Sequence, residues 1–329
     1  MNTSNVDALQ KLHDIKNTII AEIRKEIVGQ DLVIEQFLTA LFAAGHCLIE
    51  GVPGLAKTML VSSLAKATAM KFSRIQFTPD LMPSDITGTE ILGVDEKSNK
   101  RQFQFIKGPV FSNIILADEI NRTPPKTQSS LLQAMQEYQV TAGNETFDLE
   151  KPFLVMATQN PIEQEGTYPL PEAQLDRFMF NIIIDYPSYD EEVMIVKQTT
   201  VNRTTDIKPV INAQQIVEFQ NFVRKIPVSD HVMDFAVKLV RATRPKSDDC
   251  PQEIKDKVSW GAGPRASQYL IVAAKTRAAL DGRPSPSIDD VKAIAHIVLR
   301  HRILVSFAAE AEGLTADNII TILLQKINK

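Results

Sequence analysis

Apolar residues recur with helical spacing at Ile15, Ile19, Ile20, Ile23, Ile27 and Val28, which predicts an amphipathic helix at the start of the chain. A second helical stretch is expected from Asp31, read as its N-cap, to Phe42. The period then changes. Short apolar runs bounded by turn residues follow at 46–50, 71–77, 113–118, 153–158 and 180–184, with helical segments at 58–70 and 126–138. Buried strands that alternate with helices imply a parallel sheet covered on both faces. After Tyr186-Pro187 the strand signals fade, and 213–225, 230–242, 266–281, 288–300 and 315–327 all read as helices. Proline-rich breaks fall at Pro245 and at 283–287. The expected organisation is an α/β domain over 1–186 and a smaller all-α domain over 187–329.

Candidate chemistry enters where the first apolar run stops. Gly51-Val52-Pro53-Gly54-Leu55-Ala56-Lys57-Thr58 lies between a strand and a helix, the context that a phosphate-binding P-loop requires. Small residues let backbone N–H groups curl around phosphate oxygens, and the helix N-terminus adds its partial positive charge. Lys57 would contact the β- and γ-phosphates of ATP, and the Thr58 hydroxyl would ligate Mg²⁺. Ala56 stands where the consensus has its second glycine, and is expected to be tolerated as a small, helix-compatible residue. The competing reading is a plain Gly/Pro turn followed by a chance Lys-Thr.

The run at 114–117 ends in two acids, Asp118 and Glu119. Ligand chemistry in open α/β sheets sits at the carboxyl ends of strands, so both should face the phosphates. Asp118 suits a Mg²⁺ partner, and Glu119 is placed to orient or deprotonate the attacking water. Two acids in a surface turn are the bland alternative. Asn160 ends the run at 153–158 and could hold the lytic water, or could merely cap the turn before Pro161. Arg177 is a candidate for an arginine supplied to a neighbouring subunit, where it would neutralise charge on the transferring phosphoryl group. A surface ion pair with Asp176 is the alternative. Arg265, near a helix start in the C-terminal half, could reach back to the nucleotide, or could simply be solvated.

Composition narrows the class. The 329 residues are 44% apolar and 23% charged, the balance of a globular protein long enough for two domains. Net charge is 36 minus 40, or −4, which weighs against nucleic-acid binding as the main activity. The two cysteines, Cys47 and Cys250, form no CxxC, and the five histidines show no metal-ligand spacing. A basic stretch at 97–101 reads as a solvated loop, and the sequons at Asn2, Asn144 and Asn202 carry no meaning in a cytosolic chain. No leader pattern and no apolar run long enough for a membrane span is present, so a cytoplasmic location is expected.

Taken together the segments resemble AAA+ ATPases, and specifically the MoxR family. The resemblance rests on IVGQ (27–30), GVPGLAKT (51–58), QFTPDLMPSDITG (76–88), GPVF (108–111), LADEINRTPPKTQSSLLQAMQE (116–137), ATQNP (157–161) and LPEAQLDRF (170–178). It implies a five-stranded parallel sheet of order 5-1-4-3-2, with an insert in the second helix at about 86–107 facing a central pore. It implies that Ile27 and Val28 line the adenine pocket, and that Gly51, Val52, Pro53, Gly54, Leu55, Ala56, Lys57, Thr58 and Met59 surround the nucleotide. Asn160 would be sensor 1, Arg177 the trans-acting finger and Arg265 sensor 2. The sequence around Arg265 reads GAGPRAS, where the family more often has serine at the second small position. Arg122 is a weaker interface candidate. The resemblance further implies a ring, typically a hexamer, acting on protein clients together with von Willebrand A-domain partners. Alternatives are a DNA-translocating motor, a nucleotide-gated scaffold and a small-molecule phosphotransferase.

Overall fold

The structure, a computed structural model, describes residues 3–94, 101–142, 145–162, 166–201 and 205–327. Residues 97–100 of the basic stretch and the sequon asparagines Asn2, Asn144 and Asn202 lie outside the described residues. Three helices and a strand open the chain: α1 (Thr3–Ile23), α2 (Asp31–Ala43), β1 (Cys47–Glu50) and α3 (Lys57–Ala67). Strands β2 (Phe72–Gln76), β3 (Ile114–Asp118), β4 (Leu154–Gln159) and β5 (Phe180–Ile183) complete one parallel sheet. Counted from its far edge, the sheet order is 5-1-4-3-2.

Alternation along the strands builds two cores. Leu48, Ile115, Ala117, Val155 and Ala157 point to the face covered by Leu131, Leu132 and Met135 of α4 (Pro125–Glu137). The register agrees, since Leu48 is level with Ala157 and Ile115 with Val155. Cys47, Ile49, Leu116, Met156, Phe180 and Ile182 point the other way, onto α1, α2 and α3. Strands buried on both faces cannot show a polar/apolar alternation, which is why they read as unbroken apolar runs.

After β5 comes α5 (Tyr189–Thr199), which was not anticipated, and then five long helices near the lengths expected: α6 (Ala213–Lys225), α7 (Asp230–Ala242), α8 (Pro264–Leu280), α9 (Ile288–Leu299) and α10 (Ala316–Lys326). Side-chain caps fix several starts: Ser188 with Glu191, Asn212 with Gln215, and Thr315 with Asn318 each form a capping box. Ile216, Leu239, Leu270, Val298 and Leu323 of these helices join the same apolar cluster as α1, α2 and the first sheet face.

Several expectations need correction. The first helix ends at Ile23, so Ile27 and Val28 lie beyond it, in the turn before Gly29, which takes φ 67°. Asp31 is the first helical residue rather than the cap. The insert region is one helical turn, Pro83–Thr87, and an antiparallel hairpin, Gly88–Val94 with Arg101–Lys107. A second hairpin, Gln139–Ala142 with Glu145–Asp148, was not anticipated. Phe105 stacks on Phe147 at 4.6 Å between ring centroids and ties the two hairpins together. The C-terminal half is also not purely helical, because Val258–Trp260 pairs with Leu304–Val305.

Candidate functional site

β1 is followed directly by the glycine-rich loop, and two glycines there are dictated by geometry. A Cβ on Gly51 would lie 2.7 Å from the Ile184 carbonyl oxygen, a contact that real side chains essentially never make. Gly54 takes φ 89°, which L residues rarely adopt. Ala56 departs from expectation. It takes φ 54°, in the left-handed region, as the cap residue before α3, so its helix compatibility is not what it is used for. Glycine is favoured at that position because left-handed geometry costs other residues about 1–2 kcal/mol.

α3 begins at Lys57, whose Nζ donates to the Gly51 carbonyl and, at 3.2 Å, to the Val52 carbonyl. Burial pushes the ammonium below its ordinary pKa, while the charges of Asp118 and Glu119 act in the opposite direction. The lysine therefore lies within the field of both acids. The parallel sheet explains this, since Glu50 and Asp118 end their strands on the same edge.

Asp118 is 9% exposed and its two oxygens are used separately. Oδ1 accepts from Thr158 Oγ1 at 2.6 Å, and Oδ2 accepts from Arg74 Nη2 at 2.6 Å and Nε at 3.0 Å. The chain reverses at Glu119, which takes φ 57°. Its backbone N–H donates to Thr158 Oγ1 at 2.8 Å, and its Oε2 accepts from Gln76 at 3.0 Å and from Arg122 at 2.9 Å. One acid thus points inward and the other lies at the rim. Asn160 is buried just past β4, where its Oδ1 accepts from the Ile162 N–H at 3.2 Å. That is the turn-capping contact named above, and it fixes the plane of the amide.

Beside α3 opens a cavity of about 490 Å³ lined by Ile27, Val28, Gly54, Leu55, Ala56 and Met59, with Ile195 and Thr199 of α5 as its far wall. The structure therefore gathers Ile27, Val28 and residues 54–56 of the loop into one hollow. The α5 wall was missed by sequence reasoning. Thr58 sits at the first turn of α3, and Asp118 is the buried carboxylate of the site. Among the described residues no group of three or more His, Cys, Asp or Glu could hold a metal on its own. One hydroxyl and one carboxylate fit Mg²⁺, which keeps several waters and takes its other ligands from substrate phosphates.

Arg177 and Arg265 are not part of this hollow. They line a separate cavity of about 170 Å³ with Ala44, Gly45, His46 and Tyr269. Residues 44–46 precede β1, whereas the loop follows it, so these arginines occupy the opposite edge of the sheet. Arg265 Nη1 pairs with Asp176 Oδ2 at 2.9 Å. Asp176 is thereby engaged by another arginine, and Arg177 instead donates to the Leu132 carbonyl at 3.0 Å. Sequence reasoning also missed Thr158, Arg74 and Gln76. The polar Thr158 closing the apolar run at 153–157 was the one signal that could have revealed its role.

A strand–loop–helix cradle, two acids on the neighbouring strand edge and a helical region after the sheet define a P-loop ATPase core with its lid. Residues 46–180 match the ATPase family associated with various cellular activities (AAA), and residues 252–323 match the AAA lid domain. Chaperone MoxR1 of Mycobacterium tuberculosis is 42% identical over 96% of this chain and 82% of its own length. YeaC of Bacillus subtilis is 41% identical over 94% of this chain and 93% of its own, and the MoxR protein of Methylorubrum extorquens is 30% identical over 86% and 85%. A crystal structure of a candidate ATPase from Cytophaga hutchinsonii superposes with a TM-score of 0.90 at 41% identity, covering 97% of this chain and 96% of that one. The chain belongs to the MoxR family of AAA+ ATPases. Among the described residues no helix is long and apolar enough to cross a membrane.

Proposed function

We propose that the protein is a magnesium-dependent ATPase of the cytoplasm, assembled as a hexameric ring, that uses ATP hydrolysis to remodel or mature protein complexes. The observation that carries the reading is the convergence of Lys57, Asp118 and Glu119 on one sheet edge. Lys57 binds the β- and γ-phosphates, and the N–H groups of residues 51–58 cradle them. Thr58 and Asp118 hold the magnesium, which when bound neutralises phosphate charge. Glu119 orients and deprotonates the attacking water, and Asn160 positions it. The base sits in the cavity between Ile27, Val28 and α5. Arg177 and Arg265 face away from this chain's own loop, which suits them to the nucleotide of a neighbouring copy.

The division into a core over 1–186 and a lid over 187–329 belongs to this proposal. A remodelling role is supported by the relative named Chaperone MoxR1. Protein clients chosen with von Willebrand A-domain partners are the form of that role expected from the resemblance. Glu119→Gln tests the reading: the variant should retain ATP and lose turnover, and undiminished turnover would remove Glu119 from the mechanism. Lys57→Ala should abolish nucleotide binding, and retained affinity would overturn the placement of the triphosphate.

A further inference from the structure

The short segment that carries Arg177 is held in an unusual way. Arg302 is 6% exposed, and its Nη1 donates to the Val298 carbonyl one turn earlier. Its Nε donates to Asp176 Oδ1 at 2.8 Å. Its Nη2 donates to the carbonyls of Asp176 at 2.9 Å and Phe178 at 2.5 Å, and its Nη1 reaches the Met179 carbonyl at 3.4 Å. The remaining carbonyl, that of Arg177, accepts from the Tyr269 hydroxyl at 3.2 Å. Arg302 itself lies over the Tyr269 ring, 5.1 Å from its centroid. Every backbone carbonyl from 176 to 179 is thus bonded to a residue of the lid. The second oxygen of Asp176 holds Arg265.

A buried ion pair is a poor device for stability alone, because desolvation offsets most of the Coulombic gain and apolar packing serves as well. What a planar guanidinium adds is fixed geometry, with several donors in one plane. The geometry here fixes two other arginines, one through its backbone and one through a shared carboxylate.

We infer that Asp176 and Arg302 are positioning residues that lock Arg177 and Arg265 into one rigid pair, delivered together to the nucleotide of the neighbouring subunit. This rests on the reading of those two arginines given above. Asp176 binds Arg265 on one side and Arg302 on the other, so movement of the lid carries Arg177 and Arg265 as a unit. Neither positioning residue touches the reacting atoms. Their effect is on where the guanidinium groups of Arg177 and Arg265 sit, and misplacement by about 1 Å can cost about 100-fold in rate.

The experiment compares ATP turnover and nucleotide affinity of the full chain in Asp176→Asn, Arg302→Lys, Arg177→Ala and the Asp176→Asn/Arg177→Ala double variant. Asp176→Asn keeps shape and removes charge, and should lower kcat by about 10- to 100-fold while KM and the affinity for a fluorescent ATP analogue change by less than about twofold. The double variant should lose clearly less than the product of the two single losses, because Asp176→Asn acts in part through Arg177 and in part through Arg265. Mixing Asp176→Asn with Glu119→Gln subunits should restore part of the turnover, since each supplies what the other lacks. Where Arg302→Lys fails to fold, Tyr269→Phe, which removes only the bond to the Arg177 carbonyl, takes its place with a smaller loss of kcat. Turnover of Asp176→Asn near that of the parent, multiplicative losses in the double variant, or no rescue in mixtures would each overturn the positioning role. Full turnover in Arg177→Ala would instead overturn the finger assignment, and the positioning role with it.

Discussion

Thr158 Oγ1 donates to Asp118 Oδ1 at 2.6 Å and accepts the backbone N–H of Glu119 at 2.8 Å, so one hydroxyl on β4 sets the orientation of both acids at the end of β3. The two strands are adjacent and in parallel register, which makes the contact possible across 40 residues of sequence. Thr158→Val should leave a buried carboxylate oxygen and an N–H without their partner, at a stability cost of about 1–3 kcal/mol. The Mg²⁺ concentration needed for half-maximal turnover should rise by about 10- to 100-fold, as for other residues that orient a metal ligand. Thr158→Ser should recover most of both, and equal loss in the two variants would refute the hydroxyl's role.

The field at Lys57 gives a titration prediction. Burial lowers the pKa of its ammonium, and the charges of Asp118 and Glu119 partly reverse that. Removing a carboxylate removes an interaction that favours the charged form, so Glu119→Gln should move the Lys57 titration further down. NMR of side-chain-labelled lysine across a pH series reads this directly. An unchanged or higher Lys57 pKa would separate the two residues.

His46 supplies a pH dependence of stability. Burial lowers its pKa to about 4; its Nδ1 accepts from the Val155 N–H, and its Nε2 faces the Met135 carbonyl. The ring is neutral in the folded chain but takes up a proton near pH 6.5 when unfolded, so acid favours unfolding through this group. Stability should fall by about 2 kcal/mol between pH 7 and pH 5 from this residue alone. Urea unfolding of His46→Gln, which can keep one donor and one acceptor, should show a shallower fall over that range. Identical pH slopes would count against the mechanism.

Gly51 faces a backbone oxygen rather than a movable side chain. With its Cβ 2.7 Å from the Ile184 carbonyl, Gly51→Ala forces the loop away from the exit of β5. Strain of this kind costs about 1–3 kcal/mol, and ATP affinity should fall because the loop carbonyls and N–H groups shift together. Calorimetric binding to the variant checks this, and parental affinity would show that the loop has room to spare.

The parts legible in the sequence are those fixed by neighbours along the chain. Continuous apolar runs marked the four inner and far-edge strands, and a Gly-rich loop between strand and helix marked the cradle, because burial on both faces and tight turns leave local signatures; β2 (FSRIQ) at the other edge is half polar. Asp118 and Glu119 could be placed because they close such a run. What depends on distant partners was invisible. Asp176 looked ready to pair with Arg177 beside it, but its partners stand 89 and 126 residues away, at Arg265 and Arg302. The two hairpins were obscure for a related reason: their side chains are largely exposed, with Leu92 and Phe103 facing solvent, so no buried period announces them. Ala56 shows that identity alone does not disclose backbone conformation, since alanine most often signals helix and here stands outside one.

The span that matches the AAA family starts at residue 46, but one face of its sheet is roofed by α1 and α2, which also bear on α6 and α8 of the lid. A polypeptide trimmed to 46–180 would carry Ile49, Leu116, Met156 and Phe180 beneath a partly stripped surface, and aggregation rather than ATP binding is the behaviour to expect of it. Residues 3–43 therefore act as a keystone, packed at once against the sheet and against the helices that follow it.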